Sequence, residues 1–303
     1  MKVIAAFLGM LALLQLASCE QSPEEIPLHY SNTPNNAAVS VYRLAIHPLH
    51  NPEKLSAAYQ PLVDYLNKQL QGVKVELEAS RDYQAFEQKY ADRGPAFLLP
   101  NPWQTLQAIE FGYHVIAMAG DSKDFKGIFI IRKDSGIKRP EDLKHKTVSY
   151  PSSTALAATI MPQYFLHTHG ININRDIQNV YVGSQESSIM NVYLNKSDAG
   201  ATWPPPWRLF QKDHPAEAAQ LTQIWETPSL INNSVMVRDD VPEGIREQIR
   251  EVLLKLAEIP EGKSILAGME TSRFYLADDA SYDNAKTYIE RFEKEVRPVV
   301  ARK

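Results

Sequence analysis

The stretch Pro151–Ser152–Ser153–Thr154 sets three uncharged hydroxyl residues between an apolar strand, "TVSY" (147–150), and an Ala-rich helical run reaching Phe165. Nothing from Ser149 to Phe165 carries charge. Ser and Thr in this position are good helix caps, worth about 1 kcal/mol. The same hydroxyls, beside the unpaired N–H groups and partial positive charge of a helix start, also form a donor set for an oxyanion, with no Lys or Arg needed. Neutral donors permit release as well as capture. Tyr150, which ends the strand, joins the candidates. Pro162 lies inside the helical run and predicts a kink or a second helix start.

Other stretches are open to more than one reading. In "IHPLH" (46–50), His47 ends the first strand and either faces a cleft or completes a turn. His47 and His50 do not make a metal pair, because Pro48 breaks the helical geometry that would give their spacing meaning. In "LLPNPWQ" (98–104), Asn101 begins a turn and is placed to cap the next helix. "EGKSI" (261–265) imitates the end of a phosphate loop, but the earlier glycine that such a loop needs is Ala257, within a helix. The chain has no G-x-S-x-G, no H-E-x-x-H and no set of nucleophile, base and orienting group, which argues against an enzyme and predicts no cofactor and no metal.

The ends place the chain in the cell. Residues 1–18, "MKVIAAFLGMLALLQLAS", carry Lys2 and then a nearly unbroken apolar run, the pattern of a secretory signal rather than a membrane span. They lead into "LASC" (16–19), which resembles the bacterial lipobox and predicts lipidation at Cys19. That residue is the one cysteine in the chain, so no disulfide is expected. Segment 19–39, rich in Pro, Asn, Ser and Glu, reads as a lipid-anchored tether. The expected location is the cell envelope, on a membrane facing the periplasm. Without residues 1–18, which remove only Lys2 from the 32 Lys and Arg, 31 basic residues face 36 acidic ones. That balance argues against nucleic acid as a partner.

What must position these residues is an alternation of apolar strands and amphipathic helices. Strands are expected at 39–48, 73–80, 95–100, 113–120, 126–133, 147–150, 179–183, 198–202 and 222–226. The helix at 52–70 carries Leu55, Tyr59, Leu62, Leu66 and Leu70 at helical spacing, that at 241–259 carries Val241, Ile245, Ile249, Val252 and Leu256, and a last helix runs over 283–296. Such alternation predicts an α/β chain with mostly parallel sheets. Polar breaks at 121–124 and 229–234 read as two crossovers in a hinge. They divide the chain into lobe one (40–120 plus 235–303) and lobe two (125–228) around a cleft that the strand carboxyl ends would face.

Five stretches, in order, then carry a family: "NPEKLSAAYQPLVDYLNKQL", "GIFIIRKDSGIKRPEDLKHKTVSYPSST", "VGSQESSIMNVYLNKSDAGATW", "INNSVMVRDDVPEGIREQI" and "PEGKSILAG". The chain resembles the phosphate/phosphite/phosphonate-binding subunits of bacterial ABC importers over nearly its whole length after the leader. The resemblance implies a type II periplasmic binding protein fold and a monomer that closes on a small oxyanion and delivers it to a permease and ATPase complex. It also implies that Ser152, Ser153 and Thr154 grip the oxyanion, with Ala155 where the family has another serine. Trp103 falls where a family aromatic lines the cleft, and the alternative is a core tryptophan. Gln185 stands where a histidine often touches the ligand; it can donate a hydrogen bond but carries no charge. Glu186 reads as an ordinary first-turn carboxylate. In "GATWPPPW" (200–207), Trp203 replaces the acidic residue by which amino-phosphonate binders hold an ammonium, and it would present an apolar wall, with Trp207 packing on the lobe. The same fold could instead serve as the sensing input of a membrane kinase or cyclase.

Overall fold

The computed structural model describes residues 39–300. The leader at 1–18, the Cys19 anchor and all of the 19–39 tether except Val39 lie outside the described residues. Among the described residues no helix is long and apolar enough to cross a membrane.

The chain opens with β1 (Ser40–Ile46), α1 (Pro52–Gln69), β2 (Val73–Glu78), α2 (Tyr83–Ala91), β3 (Phe97–Leu99), α3 (Pro102–Ile109) and β4 (Tyr113–Ala119). It continues through β5 (Ile128–Arg132), β6 (Thr147–Tyr150), α4 (Met161–Thr168), β7 (Gln178–Tyr181), α5 (Gln185–Tyr193), β8 (Ala199–Thr202), α6 (Pro204–Asp213), α7 (Pro215–Ala218) and β9 (Leu221–Glu226). It ends with β10 (Ser234–Arg238), α8 (Glu243–Lys255), α9 (Pro260–Gly268), β11 (Phe274–Tyr275) and α10 (Asp283–Glu295). One sheet has the order β11-β4-β10-β3-β1-β2 and the other β7-β6-β8-β5-β9. Strand β10 and helix α9, which bring the chain back to the first sheet and cover it, have no counterpart in the periodicity reading.

Both sheets are mixed. β1 runs parallel to β2 and β3, and β6 parallel to β7 and β8. β10 runs antiparallel to β3 and β4, and β5 antiparallel to β8 and β9. The reason is connectivity. Strands joined by helices all end on the same edge of their sheet. A strand that arrives from the other sheet starts at that edge, and so runs the opposite way. His47, Asn101, Pro151 and Trp203 each follow directly on the last residue of β1, β3, β6 or β8, or within two residues of it. The edge where those strands end is therefore where the sequence places most of its candidates.

Local signals fix the helices. Asn51 caps α1, its side chain accepting from Lys54 N at 3.0 Å, with Pro52 in the first turn and Leu55, Tyr59, Leu62, Val63 and Leu66 buried. The largest cluster of buried apolar residues joins α1, the first sheet and the C-terminal helices, while a second around Phe129, Val148, Tyr150 and Leu166 fills one face of the other sheet. Two glycines permit close approaches. A Cβ on Gly200 would stand 2.6 Å from the Ser188 carbonyl oxygen, so a glycine in β8 lets α5 lie against the sheet. A Cβ on Gly127 would stand 2.6 Å from the Ala157 oxygen and 2.7 Å from Pro162, beside the turn that leads into α4. That turn is a π-helical one, Leu156–Ile160, and it runs on into α4 with Ile160 and Met161 both helical, so that Pro162, which has no N–H, falls where the wide turn gives way to the α-helix.

Helix α10 packs on α3, and it also meets residues of α4. The Tyr164 hydroxyl donates to Glu295 at 2.8 Å, and its ring meets Tyr288 edge-on at 5.3 Å. Arg297 donates to Gln163 Oε1 at 2.8 Å and to the Ser153 carbonyl at 3.1 Å. The C-terminal segment thus ties the first sheet's helices to the turn that carries the hydroxyls.

Candidate functional site

Ser152, Ser153 and Thr154 leave β6 as a turn before the π-helical segment, whose cap, Ala155, makes no side-chain cap bond. The hydroxyls are therefore not used to cap that helix. Ser152 Oγ lies 3.1 Å from Thr154 Oγ1, and the Thr154 hydroxyl donates to Glu87 Oε1 at 2.6 Å. The three line a cavity of about 170 Å³ with Asp82, Tyr83, Gln84, Glu87, Pro151, Tyr181 and Gly183.

The opposite wall comes from α2. Asp82 caps this helix, its side chain accepting from Ala85 N at 2.8 Å. Tyr83, Phe86, Glu87 and Tyr90 form its buried stripe. Burial raises the Glu87 carboxyl above its ordinary value; the Thr154 and Gln104 donors oppose this and the Asp82 charge adds to it. Gln104, fully buried, donates to Glu87 Oε1 at 3.2 Å and accepts from Asn101 N at 3.2 Å.

Asn101 follows β3 and caps α3, accepting from Trp103 N at 3.0 Å and Gln104 N at 3.1 Å in a capping box. Its Nδ2 also donates to the Thr154 carbonyl at 3.3 Å, so one side chain holds the α3 start and the hydroxyl turn together. Gln185, in the first turn of α5, donates to the Tyr83 hydroxyl at 3.1 Å and accepts from the Thr202 hydroxyl at 2.9 Å. Ser188 bonds the Ser149 and Ala201 carbonyls, both at 2.9 Å, which seats α5 on β6 and β8.

His47 is buried, its ring 6.1 Å from Tyr83 and 6.3 Å from Phe86. Its Nδ1 lies 2.8 Å from the Leu99 carbonyl, which can only accept, so Nδ1 carries the proton. Burial pushes this imidazole down to about 4, with the Leu99 contact opposing and His50 adding. His47 is therefore a neutral group near neutral pH.

Trp203 lies in a different part of the cleft. It lines a small cavity of about 20 Å³ with His50, Tyr59, Pro205 and Asn233, and its ring packs on Phe125 at 5.6 Å. Trp207 stacks on Phe210 at 5.9 Å within the second sheet's packing. Trp103 lines neither cavity; it edges a groove between α3 and α10, beside Leu106, Ile289 and Val299. The capping geometry at Asn101 sets the helix so that Trp103 points into packing. Tyr150 is also placed away from the cavity, buried in the second sheet's core with its ring 5.9 Å from Tyr181. Tyr181, one strand over, has the place on the cavity wall.

Sequence reasoning missed Tyr83, Glu87 and Gln104. A signal existed for Glu87: it falls four residues after Tyr83 and three before Tyr90, a carboxylate within the apolar stripe of "RDYQAFEQKYA". Glu186 is more than a first-turn carboxylate. It pairs with Lys54 of α1 at 2.9 Å and with His214 at 3.0 Å, and Lys54 also meets Asp213 at 3.2 Å.

Two mixed α/β sheets with their helices, meeting at strand ends and joined through crossings at 120–127 and 227–233, make the architecture of a type II periplasmic binding protein. The chain belongs to the ABC transporter phosphonate periplasmic substrate-binding protein family, whose model matches residues 44–282. It is 27% identical over 183 residues to a probable ABC transporter phosphite-binding protein, PhnD1, from Prochlorococcus marinus, covering 56% of this chain and 62% of that protein. A binding protein component of an ABC phosphonate transporter from Pseudomonas aeruginosa has a similar fold, with a TM-score of 0.78 at 17% identity over 84% of this chain and 87% of that one. The structure of Prochlorococcus marinus PhnD1 in complex with methylphosphonate gives a TM-score of 0.77 at 23% identity, over 86% of this chain and all of that one.

Proposed function

We propose that this chain captures a small oxyanion of the phosphonate, phosphite or phosphate kind between its two lobes and hands it to an ABC importer. The observation that carries the reading is the hydroxyl turn Ser152–Thr154, which faces Tyr83 and Glu87 of α2 across a compact cavity. The site offers hydroxyl donors beside a helix start, a set suited to holding an oxyanion. A relative solved with methylphosphonate bound supports the same class of ligand. In this reading the oxyanion is held by Ser152, Ser153 and Thr154. Asn101 and Gln185 serve to join the lobes, so that a ligand stabilises the closed form by its contacts to both. The chain acts from the periplasmic face of a membrane, tethered through lipid on Cys19, as a monomer.

A thermal-shift panel tests this. The ligands are phosphate, phosphite, methylphosphonate, aminoethylphosphonate, sulfate, arsenate and an organosulfonate. At about 100 times its Kd a true ligand adds about 2.7 kcal/mol of stability, readily seen in Tm. A shift with one or more phosphorus oxyanions is the expected result. No shift with any member contradicts the reading.

A further inference from the structure

Thr154 has one hydroxyl proton, and Glu87 takes it at 2.6 Å. Because that proton is spent, the 3.1 Å contact between Ser152 and Thr154 has Ser152 as its donor. The hydroxyls thus form a short relay aimed at a carboxylate of the facing wall. An oxyanion bound on this turn must take over the Thr154 donor, and it then lies against Glu87. Asp82 lines the same cavity, and no Lys, Arg or His does.

We infer that Glu87 makes oxyanion binding proton-linked: a dianion takes Thr154 only together with one proton, shared between it and Glu87. On the reading that this turn is the oxyanion site, Glu87 therefore sets specificity. It favours oxyanions that can carry a proton near neutral pH, such as phosphonate, phosphite and phosphate, over sulfate and sulfonates, which cannot. The physical cause is repulsion: two negative groups in contact without a cation between them are disfavoured, the more so because Glu87 is itself buried. Burial of Glu87, which already raises its affinity for a proton, acts in the same direction.

The surrounding charges do not remove the repulsion. From α2 the groups that face Glu87 are Asp82, whose carboxylate meets Arg81 Nε at 3.1 Å, and the buried Tyr83 and Tyr90, pushed up by burial. From β1 it is His47, neutral and packed on Tyr83. From β7 it is Tyr181 on the cavity wall, and from the C-terminal segment Arg297, a cation that donates to Gln163 and to the Ser153 carbonyl and does not line the cavity, so it does not stand between the ligand and Glu87.

The test is isothermal titration of the full chain with methylphosphonate and with sulfate, in buffers of different ionisation enthalpy, for the wild type and Glu87→Gln. Above the second ionisation of methylphosphonate, the wild type is expected to take up about one proton per ligand, and its affinity to fall about tenfold per pH unit. Sulfate should bind at least about a hundredfold more weakly, as like charges in contact require. In Glu87→Gln, uptake should vanish and the preference over sulfate should shrink. Methylphosphonate binding by the wild type without proton uptake overturns the inference alone, whether or not the variant folds. Failure of both proteins to bind any phosphorus oxyanion overturns the site reading and the inference with it.

Discussion

The Asn101 side chain donates to the Thr154 carbonyl at 3.3 Å while its Oδ1 caps α3 through two backbone N–H groups. One residue thus holds the start of a helix on one lobe and the hydroxyl turn of the other. The two jobs use different atoms and can be separated. Asn101→Ala should cost about 1–2 kcal/mol in chemical denaturation through the lost cap. Asn101→Asp keeps the capping oxygen but sets a carboxylate oxygen against the Thr154 carbonyl at a buried position. It should keep the cap and weaken ligand binding by at least the roughly threefold to tenfold that loss of one hydrogen bond allows. Equal affinity for Asn101→Asp and wild type would show that the contact does not contribute to closure.

Gln185 stands between Tyr83 and Thr202, donating to the Tyr83 hydroxyl and accepting from that of Thr202. Gln185→Leu leaves two buried hydroxyls without this partner and should cost about 1–3 kcal/mol, read as a lower urea midpoint. Tyr83→Phe removes only the contact across the cleft and should leave the midpoint within about 1 kcal/mol of wild type while lowering affinity. A larger stability loss in Tyr83→Phe than in Gln185→Leu would place the weight of the chain elsewhere.

His47 gives a pH dependence of known sign. Its folded value, about 4, lies below its ordinary 6.5, so between these limits the unfolded chain binds the extra proton. Stability from this group is then full above pH 6.5, falls as pH drops toward 4 and levels off below that, a change of about 3 kcal/mol. Asn at this position can still donate to the Leu99 carbonyl and does not titrate. Unfolding free energies measured from pH 4 to 6.5 should rise more steeply for wild type than for His47→Asn; parallel curves would contradict a buried neutral imidazole.

Gly200 lets α5 approach β8, since a Cβ there would meet the Ser188 carbonyl at 2.6 Å and Val192 Cγ2 at 2.8 Å. Gly200→Ala should cost about 1–3 kcal/mol as overpacking, and it should weaken ligand binding by moving the helix that carries Gln185. Unchanged stability would mean that α5 shifts freely, which the Ser188 bonds to the Ser149 and Ala201 carbonyls argue against.

Much of the scaffold was legible in sequence because its signals are local. Leu55, Tyr59, Leu62 and Leu66 recur at helical spacing, Asn51 and Pro52 mark the start of α1, and Pro162 marks the change from a π turn to the α-helix, all of which follow from short-range sterics. The hydroxyl turn was legible for the same reason. The facing wall was not. Glu87, Gln104 and Tyr83 reach the turn only through the packing of α2 and α3, and nothing in their own neighbourhood says which residue of lobe two they meet. The antiparallel strands were hidden similarly: Ser234–Arg238 has the composition of any buried strand, and its direction comes from a crossing some way back along the chain. Trp103 and Tyr150 show the reverse limit. An aromatic residue next to a site in sequence can be turned wholly into the core by the element that carries it.

The claim on which the rest depends is that the oxyanion sits on Ser152, Ser153 and Thr154. Its most direct test is titration of methylphosphonate into wild type and into the double variant Ser153→Ala with Thr154→Ala, after urea denaturation has shown that both are folded. Loss of two donors to a charged ligand should weaken binding by at least about a hundredfold, at about 1.5–3 kcal/mol each. Wild-type affinity retained in the double variant would contradict the site.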